Sequence, residues 1–191
     1  MNYYISDYHI GHANVIRFDG RPFLSTEQML QIIVENWRHT VKSEDTVYIL
    51  GDFCWAKEQD WPQYLELFPG HKVLIRGNHD PKGFSKKTRS YFDDIKDYKE
   101  IRDGGRHVIL SHYPIPFHRR AYDPDTWMLY GHVHRTREND FMRNLRSAIR
   151  ATCQNPGDCR GNWINVGCML PYMDYTPRTL DELIRFSEEE V

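Results

Sequence analysis

The chain has 191 residues, 40 % hydrophobic and 14 % aromatic, with a formal net charge of −2. This fits one folded domain with its own core and excludes a disordered or fibrous chain. The near-neutral balance supplies no global field for a nucleic-acid backbone or an anionic membrane surface, no stretch approaches the roughly 20 apolar residues of a membrane span, and the start lacks the charged and apolar regions of a signal peptide, so a cytoplasmic protein is expected.

Along the chain, short β-prone runs end abruptly in polar clusters. Tyr3-Tyr4-Ile5 runs into Ser6-Asp7-Tyr8-His9. Ser25-Thr26-Glu27-Gln28 is a capping box in front of Met29, Ile32, Ile33 and Trp37 and predicts a helix with one apolar face. Thr46-Val47-Tyr48-Ile49-Leu50 leads into Gly51-Asp52. A second helix is expected from near Asp60, with Pro62 in its first turn and Trp61, Tyr64, Leu65 and Phe68 on one side. Val73-Leu74-Ile75 then meets Arg76-Gly77-Asn78-His79-Asp80, Val108-Ile109-Leu110 meets Ser111-His112, and Trp127-Met128-Leu129-Tyr130 meets Gly131-His132-Val133-His134. The stretch from Arg135 to Gly161 carries Arg135, Arg137, Arg143, Arg146 and Arg150 in a helical-looking segment and ends in a Gly/Pro/Cys turn. It reads as an Arg-rich insertion before a sixth run, Trp163-Ile164-Asn165-Val166-Gly167. A capping box at Thr179-Leu180-Asp181-Glu182 announces the last helix.

Strands alternating with helices indicate a single α/β layered domain over residues 1–191. Alternation alone points to a parallel sheet. In such sheets sites form at the carboxyl ends of strands, where all five polar clusters fall, so the clusters should converge. Cys54, Cys153, Cys159 and Cys168 show no Cys-x-x-Cys spacing and read as reduced thiols. Trp55, Trp61 and Trp127 read as core, and the arginines of the insertion as a solvated helix face.

Seven residues at these strand ends, Asp7, His9, Asp52, Asn78, His112, His132 and His134, are of metal-ligand type. They could hold two adjacent divalent cations if one carboxylate bridges them. On an extended segment, Asp7-x-His9 and His132-x-His134 would each direct both ligands to one side. Mixed imidazole and oxygen donors fit manganese, zinc, iron or nickel better than calcium or magnesium.

The order Asp-x-His, Gly-Asp, Gly-Asn-His-Asp, Ser-His and Gly-His-x-His, spanning Asp7 to His134, resembles the calcineurin-like metallophosphoesterase family, in its small bacterial or phage-type branch. The resemblance implies a four-layer α/β (α+β) β-sandwich of two mixed sheets flanked by helices. It implies one metal on Asp7, His9, Asp52 and His134, and the other on Asp52, Asn78, His112 and His132, with Asp52 bridging. A hydroxide between the two ions would then attack phosphorus in line. His79 would face the scissile phosphate as the catalytic proton donor or transition-state stabiliser. The implied reaction is hydrolysis of a small, nucleotide-like or other low-molecular-weight phosphodiester. Phosphomonoesterase activity is the alternative, because the same dimetal core serves both. Gly11-His12-Ala13-Asn14 and Arg21-Pro22-Phe23 resemble one small-enzyme branch in which such residues lie near the phosphate, which makes His12, Asn14 and Arg21 substrate candidates. His118, in the Pro-rich loop past His112, is a fourth.

The sequence departs from the family at Gly51-Asp52-Phe53-Cys54-Trp55, where the phosphatase branch often has a further Asp-Arg pair. That argues against a protein phosphatase and leaves Asp80 as the nearest carboxylate to orient His79. A non-catalytic binding module of the same fold, as in a retromer subunit that has lost catalytic residues, is set against the intact ligands and His79 here. Polymeric nucleic acid is disfavoured by the lack of an extended basic stripe interleaved with aromatics. A metallo-β-lactamase-type hydrolase is disfavoured by the missing His-x-His-x-Asp-His run.

Overall fold

Each of the five apolar runs is a strand in the computed structural model, which describes residues 1–155 and 157–189. Strands β1 (Asn2–Ile5), β2 (Thr46–Ile49), β3 (His71–Ile75) and β4 (Asp94–Lys96) form a sheet in that order, each parallel to its neighbour. An antiparallel bridge between Tyr4 and Arg178 lies along its β1 edge. The second sheet orders β5 (Tyr98–Asp103), β6 (Arg106–Ser111), β7 (Thr126–Tyr130) and β8 (Trp163–Asn165). It is mixed: β5 runs antiparallel to β6 through the Gly104-Gly105 turn, whereas β6, β7 and β8 are parallel. Two sheets of four strands with flanking helices replace the single parallel sheet that alternation alone predicts.

Side-chain alternation explains why two sheets form. Along β6, β7 and β8, Val108, Leu110, Trp127, Leu129 and Ile164 join Ile5, Ile49 and Leu74 in the central core. The intervening Ile109, Met128, Tyr130 and Trp163 form a second cluster with Val133 and Met142, so these strands are buried on both faces. The cover on the outer face is α5 (Arg137–Thr152), the helix of the Arg-rich stretch. Residues 135–161 are therefore the crossover that parallel β7 and β8 require and a layer of the sandwich.

The other helices follow their start signals. In α2 (Thr26–Thr40) the Ser25 hydroxyl accepts from the Gln28 amide, and Met29, Ile33 and Trp37 are buried with Tyr8, Phe53 and Phe68. In α6 (Leu180–Glu189), Glu182 accepts from both the amide and the hydroxyl of Thr179 at 2.8 Å, and the helix lies against β1 and β8. The helix expected near Asp60 is shorter than its pattern: α3 covers only Trp61–Leu65, after a 3-10 turn at Glu58–Asp60. Two further short helices, α1 (Ala13–Phe18) and α4 (Lys86–Arg89), lie in the loops. All four cysteines are free, and no helix among the described residues is long and apolar enough to cross a membrane.

Candidate metal centre

Three strand ends, those of β1, β2 and β7, turn sharply through left-handed polar residues. Asp7, His9, Asp52, His132 and His134 have φ of 59°, 50°, 53°, 70° and 46°. Each such residue costs roughly 1–2 kcal/mol of backbone strain, which Asp and His tolerate better than most, and strain of this kind concentrates at functional sites. The two x-spaced pairs are thus not extended, and β-alternation is not what aligns them; each pair consists of two left-handed residues with one ordinary residue between. Close approach does the rest. A β-carbon on Gly77 would overlap the Asp52 carboxylate, and one on Gly131 would overlap Asp7 and Ser6, so only glycine lets the backbone pass there.

The result is a dense cluster of ligand atoms. Those of Asp7, His9 and His134 lie within 4.8 Å of one another, as do those of Asp7, Asp52 and His112. His9 Nε2 is 3.2 Å from His134 Nε2, close to the roughly 3.3 Å expected between two nitrogens bound tetrahedrally at about 2.0–2.1 Å from one zinc-sized ion. Asp52 Oδ2 is 3.6 Å from Nε2 of His9 and 3.6 Å from Nε2 of His112. Asn78 Oδ1 lies 3.0 Å from His112 Nε2, and the His132 ring packs 5.1 Å from that of His112. All seven predicted ligands converge, and Asp7, shared by both sets, is as central as Asp52.

The surroundings orient these groups for a cation. His112 Nδ1 lies 2.8 Å from the Leu50 carbonyl, which can only accept, so the proton sits there and Nε2 offers a lone pair to the cluster. His134 Nδ1 is 2.8 Å from Asp19 Oδ1, and Asp19 Oδ2 in turn accepts from Arg21. Burial opposes a charge on His134, but hydrogen bonds and charge from Asp19 and Asp7 lift its pKa to about 10. The field that holds a proton there also favours a divalent cation. Burial, with His134 adding, pushes His9 down to about 3 against the pull of Asp7, so it stays neutral. Burial would raise the Asp7 carboxyl, yet His134, His112 and His9 carry it well below the usual range. Asp52 moves the other way, raised by burial and by Asp7 against the pull of His112. A mixed set of imidazoles and carboxylates, with the outer ring nitrogens of His112 and His134 already bonded, fits a transition-metal pair once His134 gives up its proton as the cation binds.

The centre opens into a cavity of about 460 Å³ that also exposes His12, Val15, Phe18, Trp55, His79 and Thr136. His79 is solvent-exposed, its amide donates to Asp52 Oδ1 at 2.9 Å, and its ring lies 4.8 Å from that of Trp55. Asp80 does not orient that ring. Its carboxylate accepts from the amides of Asp52, Phe53 and Gly77 at 2.8–3.0 Å, and burial raises it to about 6 despite those bonds. Of the substrate candidates only His12 lines the cavity. Asn14 is exposed and accepts from Arg17. Arg21 is buried, and its guanidinium donates to the carbonyls of Asp7 and Tyr8 and to Asp19, which makes it a strut beneath the ligands. His118 is buried away from the cavity lining, with Nδ1 at the Arg119 carbonyl. Trp55, expected in the core, is 45 % exposed at the cavity. Arg135, Arg143 and Arg146 line a separate cavity of about 270 Å³ between α5 and Tyr172. Sequence reasoning missed Asp19, Phe18 and Thr136, none of which sits in a ligand-type spacing.

A sequence profile of the calcineurin-like phosphoesterase superfamily domain matches residues 3–170. An uncharacterized protein of Methanocaldococcus jannaschii is 29 % identical over 191 aligned residues, covering 98 % of this chain and 91 % of that protein. The Gene 66 protein of Mycobacterium phage D29 is 32 % identical over 170 aligned residues, covering 75 % of this chain and 83 % of that protein. A protein of unknown function from Aquifex aeolicus has a solved structure that superposes with a TM-score of 0.67 at 29 % identity, over 97 % of this chain and 98 % of its own.

Proposed function

Because the chain belongs to the calcineurin-like phosphoesterase superfamily, we propose that it hydrolyses a small, nucleotide-like phosphodiester at a dinuclear centre. The carrying observation is Asp52 Oδ2, 3.6 Å from Nε2 of both His9 and His112, between two donor sets that overlap at Asp7. Asp7, His9, Asp52 and His134 would hold one ion, and Asp52, Asn78, His112 and His132 the other. Manganese, zinc, iron and nickel suit the imidazole-rich donors. Two such cations supply a nucleophile from water and neutralise charge developing on the phosphoryl oxygens. The protein's own part is to fix the donors by the backbone turns described above and to present His79 at the open side, where its imidazole protonates the departing oxygen.

A diester is favoured over a monoester because no Lys or Arg lines the cavity among the described residues. A monoester dianion carries a further charge that such sites usually meet with a cationic side chain. The test is hydrolysis of bis(p-nitrophenyl) phosphate and p-nitrophenyl phosphate by metal-stripped protein resupplied with manganese, zinc, nickel or magnesium. Metal-dependent diester cleavage is expected. Asp52→Asn should lower it by more than the roughly 10–100-fold typical of removing a mere outer partner of a metal ligand. Faster monoester cleavage would move the substrate class, and no turnover with any metal would defeat the reading.

A further inference from the structure

The cavity wall beside the ligands has a chemistry of its own. Apart from the ligands and His79, it is lined by His12, Val15, Phe18, Asp19, Trp55 and Thr136. Asp19 is engaged with His134 and Arg21, so what remains is aromatic, aliphatic and uncharged. Two large rings are left open to solvent: Phe18 is 75 % exposed and Trp55 is 45 % exposed. A polar metal site gains nothing from exposed apolar rings unless something covers them.

The Trp55 ring is held in place, and the backbone that carries Phe18 is anchored. The His12 ring stacks on the Trp55 indole with centroids 3.9 Å apart and planes 15° apart, and the Trp55 amide donates to the Ile10 carbonyl at 2.9 Å. That bond and the Ile10–Cys54 bridge tie the Trp55 segment to the loop of His9 and His12. Phe18 ends α1, which is anchored by buried Val15. A ring braced as Trp55 is loses little freedom on stacking with a ligand.

We infer that Phe18 and Trp55 form a stacking subsite for a flat, uncharged ring, such as a nucleobase, on one arm of the phosphoester substrate. The inference rests on the phosphoesterase reading for the position of the phosphate, which the adjoining metal ligands set. The arm runs along the wall from His79 towards α1, since Trp55 packs 4.8 Å from His79 and its stacking partner His12 lies at the start of α1. A chain of further phosphates is excluded from this arm, because the wall offers no cation to meet it.

The test compares uridine 5′-phosphate with ribose 5-phosphate, which share the ribose phosphate and differ in the base. Their dissociation constants are measured by titration calorimetry on metal-loaded protein, with loading checked by metal content. Stacking on an aromatic side chain predicts at least a roughly five-fold tighter constant for the nucleotide. That ratio should collapse towards one in Phe18→Ala and in Trp55→Leu, and persist in Phe18→Tyr. Equal constants in the parent protein, binding of neither compound, or a ratio unchanged in both truncations would overturn the subsite. Because calorimetry needs no turnover, a protein that discriminates the two phosphates yet hydrolyses no diester would keep the subsite and defeat only the reaction.

Discussion

Asp19 illustrates how much a metal ligand depends on the group behind it. His134 turns Nε2 to the cluster while its Nδ1 is held 2.8 Å from Asp19 Oδ1, and Arg21 locks the other oxygen of the same carboxylate at 2.8–2.9 Å. The carboxylate fixes ring orientation and tautomer and makes the imidazole a stronger donor. Asp19→Asn keeps the size and removes the charge, so metal affinity should fall by roughly 10–100-fold, measured by competition with a chelating dye. An unchanged affinity with an intact circular-dichroism spectrum would mean that Asp19 serves only Arg21. The candidate ligands were legible in the sequence because each follows a strand-like run; Asp19 was not, since Phe18-Asp19-Gly20-Arg21 has no ligand spacing. Arg21 was misassigned for a related reason. A guanidinium beside a phosphate site and one buried beneath it look alike in one dimension, and only its bonds to the Asp7 and Tyr8 carbonyls separate them. Trp55 is the converse case, since its ring type reads as core and only the cavity exposes it.

Between elements, Asp80 ties the loop after β3 to the loop after β2. One carboxylate satisfies the amides of Asp52, Phe53 and Gly77, and these donors flank ligand Asp52. In Asp80→Ala these largely buried amides lose their acceptor, at about 1–3 kcal/mol each. The melting temperature should fall by about 10 °C, taking 2–4 °C per kcal/mol for a chain of this size, with Asp80→Asn intermediate because one acceptor oxygen remains. A fall of only a degree or two in a melting curve would show that water replaces the carboxylate. Interior elements were readable because burial imposes a pattern: the core strands β1, β2, β3, β6 and β7 show apolar runs, and both capping boxes start helices. Strands β4 and β5 were not readable. They edge their sheets and read Asp94-Ile95-Lys96 and Tyr98-Lys99-Glu100-Ile101-Arg102-Asp103, and charge on edge strands guards against pairing with other chains while erasing the apolar signal. The split into two sheets was likewise invisible to alternation, because the antiparallel β5–β6 pairing that opens the second sheet involves one of these charged edges.

At the scale of the molecule, the centre is the seam of the sandwich. The loops after β1, β2 and β3 supply Asp7, His9, Asp52 and Asn78, whereas those after β6 and β7 supply His112, His132 and His134. Hydrogen bonds already cross the seam: His132 donates its amide to Asp7 at 3.1–3.2 Å, His112 Nδ1 meets the Leu50 carbonyl, His134 Nδ1 meets Asp19, and the Ser6 amide donates to the Val166 carbonyl. Meanwhile Asp7 and Asp52 are buried side by side, and burial, with the charge of Asp7 adding, raises the Asp52 carboxyl. Cations held from both sides would meet those carboxylates and staple the sheets. Binding that occurs only in the folded state stabilises by RT ln(1 + [L]/Kd), about 2.7 kcal/mol at a hundred times Kd. For this chain length that is roughly 5–10 °C. Metal-stripped protein should therefore melt 5–10 °C higher with excess manganese or zinc in a calorimetric scan, less with magnesium, which prefers an all-oxygen shell. Asp52→Asn should lose most of the gain, because it removes the carboxylate facing both imidazole sets. A melting temperature indifferent to every metal would mean that packing and these hydrogen bonds alone close the seam, and that the strained turns there are stabilised without any ion.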